Sequence, residues 1–259
     1  MERLRTLFKR KPDHLLNIYF TAGFPGLHDT VTIINTLAEA GADLIEVGMP
    51  YSDPLADGPT IQQSGQVALQ NGMTLPLLFD QIAKARQHTD IPLILMGYYN
   101  QVMQYGEEAF LRKCKEVGVD ALILPDLPLY EYEERFQPLF EALDLGISFL
   151  ITPQTPADRI AKIDNLTRGF IYMVSSASIT GAKNGIAPEQ VAYFKRIEQL
   201  QLKHPRLIGF GISSHATFQT ACAHANGAII GSAYIRSLEG VASVETATRQ
   251  FVGQILNPS

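Results

Sequence analysis

Near its start the chain places a carboxylate inside an apolar run, and a second carboxylate follows eleven residues later. The run is Leu44-Ile45-Glu46-Val47-Gly48-Met49, and Asp57 lies in the Pro/Gly-rich stretch 50–60. Alternation along a strand puts Leu44, Glu46 and Gly48 on one face and Ile45, Val47 and Met49 on the other. A carboxylate flanked by Leu and Gly is expensive to bury unless it has a partner or a task. Desolvation raises its pKa toward neutrality, where a carboxyl can both donate and accept protons. Loop aspartates commonly serve turns through local hydrogen bonds, and Asp53 fits that description. Asp57 draws attention because it follows Glu46.

Other residues have the makings of a binding site. Gly211, with Ser213 and Ser214 before a helical stretch at 216–225, and Gly231-Ser232 resemble a phosphate cradle. Glycines let backbone N–H groups approach an anion, and a helix N-terminus adds partial positive charge. Neither loop carries Arg or Lys, so binding there would rest on backbone amides. Ile94, Met96 and Tyr98 share one strand face, as do Phe170, Tyr172 and Val174, and together they suit a flat apolar slot for an aromatic ring. The polar, glycine-hinged stretch 178–185 suits a lid. The six histidines and two cysteines show no metal-ligand spacing, and Cys114 and Cys222 read as core fillers in a reducing compartment.

The elements that position these residues recur regularly. Apolar, β-rich runs occupy 15–21, 44–49, 93–98, 121–124, 147–152, 170–174, 207–211 and 228–230. Segments of helical period separate them, including 30–40, 106–117 and 188–202. Eight strands alternating with helices predict parallel pairing through right-handed crossovers, and eight strands close a barrel. An open doubly wound sheet usually carries a dinucleotide fingerprint early, and no G-x-G-x-x-G follows the first run. The expected fold is therefore α/β, a (β/α)8 TIM barrel. Residues 1–259 form one domain in this reading, with the basic, amphipathic segment 1–10 as a short N-terminal cap helix. In such a barrel the chemistry lies where strands end.

Composition narrows the partners. The chain has 259 residues, 46% of them hydrophobic, and a net charge of −5. That acidic balance argues against nucleic acid or an anionic membrane as the main partner. No apolar run approaches the ~20 residues of a membrane span, and no secretory signal is visible, so a cytoplasmic location is expected.

Residues 46–62, E-V-G-M-P-Y-S-D-P-L-A-D-G-P-T-I-Q, closely resemble the signature of the tryptophan synthase alpha subunit family. So do Gly118-Val119-Asp120, Pro125-Asp126-Leu127-Pro128, residues 209–214 (G-F-G-I-S-S) and Gly231-Ser232-Ala233. The resemblance implies a lyase that cleaves indole-3-glycerol phosphate into indole and glyceraldehyde 3-phosphate, without a cofactor in this chain. It implies that Glu46 is the acid/base and that Asp57 pairs with the indole N–H. By the same resemblance Tyr19, Met96, Tyr98, Ile123, Ile151 and Tyr172 fall on indole-pocket positions. Thr180 and Gly181 fall on the lid, and Gly181, Gly211, Gly231 and Ser232 on phosphate-binding positions. It further implies an α2β2 heterotetramer with a beta subunit whose pyridoxal phosphate site receives the indole. A stand-alone indole-releasing lyase and a non-catalytic regulatory subunit are the rival expectations. The chain departs from the family pattern at Tyr19, Phe24, Ser176 and Ser178.

Overall fold

The computed structural model describes residues 1–174, 187–209 and 211–257. Its strand segments are β1 (Leu15–Thr21), β2 (Leu44–Gly48), β3 (Leu93–Met96), β4 (Ala121–Ile123), β5 (Gly146–Ile147), β6 (Leu150–Ile151), β7 (Ile171–Val174), β8 (Arg206–Gly209) and β9 (Gly227–Ile230). All pairings are parallel, in the order β5-β4-β3-β2-β1-β9-β8-β7-β6.

The two ends of that order are consecutive in the chain. The Ser148 N–H donates to Leu122 O of β4 at 3.0 Å, while Phe149 O accepts from the Tyr172 N–H of β7 at 2.9 Å. Residues 146–151 thus bond to both ends of the sheet and close it. Nine segments fill eight barrel positions, and the expected (β/α)8 architecture is present. The run expected at 147–152 is two short pieces because the chain changes partner at Ser148-Phe149.

β1, β2 and β9 are buried along their whole length, as strands are when side chains fill the barrel inside and helices cover it outside. The helix Asp29–Ala40 buries Ile33, Ile34 and Leu37. The helix Pro59–Gln70 starts with Pro at its first position, where a missing N–H costs nothing, and this ends the loop that carries Asp57. The helix expected at 188–202 stops at Glu198, because the chain turns through Gln201 at φ 48. The helix expected at 216–225 runs His215–Cys222, with the Ser214 hydroxyl accepting from the Thr217 N–H.

The expected cap helix is Glu2–Arg10, with Leu4 and Leu7 buried. Arg3 reaches Asp120 at 3.4 Å, and Arg86 meets the other oxygen of the same buried carboxylate at 2.7 Å. Asp120 also accepts from the Leu93 N–H, at the start of β3. These contacts seal the end of the barrel where strands begin and leave the opposite mouth for chemistry. Among the described residues, no helix is long and apolar enough to cross a membrane.

Candidate active site

Glu46 stands on β2, in register with Tyr19 of β1 and Ile94 of β3. Its side chain points into the barrel and is wholly buried. Asn17, equally buried on β1, donates from Nδ2 to Glu46 Oε1 at 2.5 Å. Oε2 has no hydrogen-bond partner among the described residues. Burial disfavours the carboxylate and lifts the Glu46 pKa to about 8, while the Asn17 hydrogen bond pulls it down. At neutral pH this carboxyl carries a proton.

Asp57 is half-buried and held by a different construction. Its loop folds on itself through Leu55 N–H to Asp53 O at 2.9 Å and Asp57 N–H to Pro54 O at 3.1 Å. The Tyr98 hydroxyl, at the mouth beyond β3, donates to Asp57 Oδ2 at 3.0 Å and accepts from the Ala56 N–H at 3.0 Å. Gln62 donates to the Asp57 carbonyl at 2.9 Å. Tyr98 is fixed in turn: its ring stacks on Tyr51 with centroids 5.0 Å apart, and its N–H donates to Gln101, which donates to Pro50 O. Burial raises the Asp57 pKa to about 6, opposed by the Tyr98 hydrogen bond. Asp57 is therefore mostly ionised at pH 7. Asp53 accepts from Ser52 in an exposed turn, as a structural loop aspartate does.

Beside Asp57 lies an apolar slot. Tyr19, Met49, Met96 and Tyr98 line a cavity of about 10 Å³ together with Asp57. That holds about one water. An indole ring is larger, so the slot has to widen on binding. Tyr19 lies flat across Gly48, where a Cβ would fall 2.2 Å from its hydroxyl oxygen. The Tyr19 and Tyr172 hydroxyls are buried, which raises their pKa values well above normal, and the charges of Glu46 and Asp57 push both further up. Both tyrosines thus lie within electrostatic reach of both carboxyls. Ile123 ends β4 and Ile151 ends β6, each fully buried. Phe170, expected to share the slot, is fully buried and precedes β7.

Across the mouth, Gly231 closes β9 and opens the short helix Ser232–Ser237, with no side chain capping it. A Cβ at Gly231 would lie 3.4 Å from the Tyr19 ring, so this turn abuts the slot. Gly211 holds φ 78 just before the capped helix His215–Cys222. Thr180 and Gly181, with the rest of the expected lid, lie outside the described residues. Among the described residues, no group of three His, Cys, Asp or Glu converges on a metal position.

Three contributors escape a reading by residue pattern. Asn17 interrupts the apolar run Leu15-Leu16-Asn17-Ile18 and could have been flagged by the burial argument applied to Glu46. Met49 lines the cavity although alternation assigns it to the outer face, because β2 ends at Gly48 and alternation ends with it. The Tyr98–Asp57 bond spans 41 residues, and no local pattern signals it.

Comparison with known proteins points one way. The profile described as "Tryptophan synthase alpha chain" matches residues 6–255. The chain is 54% identical over 241 residues to the tryptophan synthase alpha chain of Flavobacterium johnsoniae, covering 93% of this chain and 94% of that one. Its fold is similar to the tryptophan synthase A-subunit of Pyrococcus furiosus, with TM-score 0.87, 32% identity and coverage of 94% and 98% of the two chains. A chain in the Pyrococcus furiosus tryptophan synthase complex is similar with TM-score 0.85 and 31% identity, over 94% of this chain and 98% of that one.

Proposed function

The chain belongs to the tryptophan synthase alpha chain family, and from that membership we propose how its residues divide the family's reaction. It is a carbon–carbon lyase of tryptophan biosynthesis, cleaving indole-3-glycerol phosphate to indole and glyceraldehyde 3-phosphate. In our assignment, protonated Glu46 delivers its proton to indole C3. The ring nitrogen becomes cationic, and the Asp57 carboxylate, accepting from the indole N–H, stabilises that charge. The bond between C3 and the side chain then breaks, its electron pair passing into the ring. The side-chain hydroxyl becomes the aldehyde, and its proton returns to Glu46. One proton leaves and one returns, so the carboxyl ends as it began.

The observation that carries this assignment is the unlike setting of the two carboxyls: Glu46 is wholly buried on β2, next to Tyr19, while Asp57 lines the apolar slot in the grip of Tyr98. Glu46 sits near pKa 8 and Asp57 near 6. Paired carboxyls held apart in this way mark the acid and the charge stabiliser. In the same proposal Tyr19, Met96, Tyr98, Ile123, Ile151 and Tyr172 surround the indole ring, and Gly211, Gly231 and Ser232 offer backbone N–H groups to the phosphate. Glu46 accounts for both protons moved and Asp57 for the charge developed, so this chain is proposed to work without a cofactor.

The chain works with a beta subunit, to which pyridoxal phosphate belongs, and we assign the pair to an α2β2 assembly in the cytoplasm. Exposed Leu55, Met103 and Tyr130 follow three consecutive strands at the barrel mouth and supply apolar surface for that partner. The test is indole release by Glu46→Gln with and without the beta subunit. Loss of turnover in both settings, with the fold intact, is expected; near-normal turnover would overturn the assignment.

A further inference from the structure

We propose that Asn17 is a positioning residue for the proton transfer: its amide holds Glu46 Oε1, so that the travelling proton is carried on Oε2. This rests on Glu46 being the acid/base. Asn17 lies on β1 in register with Leu44 of β2 and Ile229 of β9, two residues before Tyr19 and on the same inward face. From that position its Nδ2 meets Oε1 at 2.5 Å. Both residues are wholly buried.

The pattern of satisfied and unsatisfied atoms carries the proposal. Buried polar atoms normally find partners. Here Asn17 Oδ1 and Glu46 Oε2 both lack one among the described residues, while Nδ2 and Oε1 are committed to each other. An amide kept for packing alone would be better replaced by a leucine of similar size, since its free carbonyl is buried at a cost. The one bond it makes is to the oxygen that should not move a proton. It leaves Oε2 as the one oxygen of that carboxyl without a partner among the described residues, and it limits rotation of the carboxyl plane. The other titratable groups that feel Glu46 are Tyr19 from β1 and Tyr172 from β7, both of which also feel Asp57. Burial holds both hydroxyls neutral.

A donor to the carboxylate stabilises its ionised form, so losing Asn17 raises the proton affinity of Glu46. The test follows the Glu46 side-chain carboxyl by ¹³C NMR titration in the full chain, alongside indole-release kinetics. Asn17→Leu removes the donor. Asn17→Asp keeps the shape and presents an acceptor, and it guards against a folding failure of the first variant. Each variant is expected to move the Glu46 midpoint up by about one pH unit, tenfold in proton affinity, with Asn17→Asp moving it further through like charge. The kcat should fall about tenfold to a hundredfold with KM within about twofold, because a misheld carboxyl loses alignment rather than binding. An unchanged midpoint, or a loss confined to KM, would overturn the proposal and leave Asn17 a packing residue. Glu46→Gln is measured in parallel. Turnover surviving in that variant would overturn the acid/base reading itself, whatever the Asn17 variants do.

Discussion

The Tyr98 hydroxyl bridges Asp57 to its own loop, donating to Oδ2 and accepting from the Ala56 N–H, each at 3.0 Å. One hydroxyl thereby ties a loop carboxylate to the rigid end of a strand. Glu46 needs no such tie, being carried on β2 itself. Tyr98→Phe cuts the tie and keeps the ring that stacks on Tyr51. The Asp57 pKa should then rise above its present value of about 6, because the lost hydrogen bond favoured the ionised form. We expect kcat/KM for indole release to drop about tenfold at pH 7 and less at pH 8, where Asp57 ionises regardless. An equal loss at both pH values would mean that Tyr98 acts only as a wall of the slot.

The pH profile of the unaltered protein follows from the same two groups. Below about pH 6 Asp57 takes a proton and cannot stabilise a cationic ring. Above about pH 8 Glu46 loses the proton it must deliver. The kcat/KM profile, which reports the free enzyme, should be bell-shaped with its maximum between these limits. In Asp57→Asn the acid limb should vanish along with most of the activity. Persistence of that limb in the variant would detach it from Asp57.

Glu46 also makes a prediction about stability. Its folded pKa, about 8, lies above the ordinary carboxyl value of 4.5, so the folded state holds a proton that the unfolded chain releases. Below pH 4 both states are protonated and the residue is neutral to folding. As pH rises toward 8 the unfolded state gains from ionisation, and the fold loses on the order of 4 kcal/mol. Glu46→Gln cannot ionise and escapes that loss. Urea unfolding should show the variant gaining on the parent steadily between pH 4 and pH 8. A stability difference that is flat with pH would contradict a buried, protonated Glu46.

The barrel was legible because its strands are apolar on both faces and recur with helices between them, a pattern few folds share. The segment 146–151 was legible as a strand but not as two, since the change of partner from β4 to β7 is set by closure and leaves no local mark. Glu46 stood out because an ionisable group in an apolar run is anomalous on energetic grounds. Asn17, in a run just as apolar, carries no charge and raises less alarm, although it is the only hydrogen-bond partner Glu46 has among the described residues. The hold on the Asp57 side chain is tertiary: Tyr98 reaches it from beyond β3, itself fixed by Tyr51 and Gln101, and spacing along the chain says nothing of that contact. The predicted lid at Thr180 and Gly181 lies outside the described residues.

Gly48 supplies the last prediction. A Cβ there would stand 2.2 Å from the Tyr19 hydroxyl oxygen and 2.6 Å from the carbon bearing it, so Gly48→Ala drives the ring out of its place. Tyr19 is buried and lines the slot, so a displaced ring either disturbs its packed neighbours or enters that slot. Overpacking of this kind costs about 1–3 kcal/mol. The displaced ring also intrudes on the slot beside Asp57, so indole release should fall through a raised KM. Tyr19→Leu removes the clashing atoms. The double variant Gly48→Ala/Tyr19→Leu should then be more stable than the sum of the two single changes predicts, with a coupling of about 1 kcal/mol or more. Additive losses in urea unfolding would show that the glycine is required by something other than the ring lying across it.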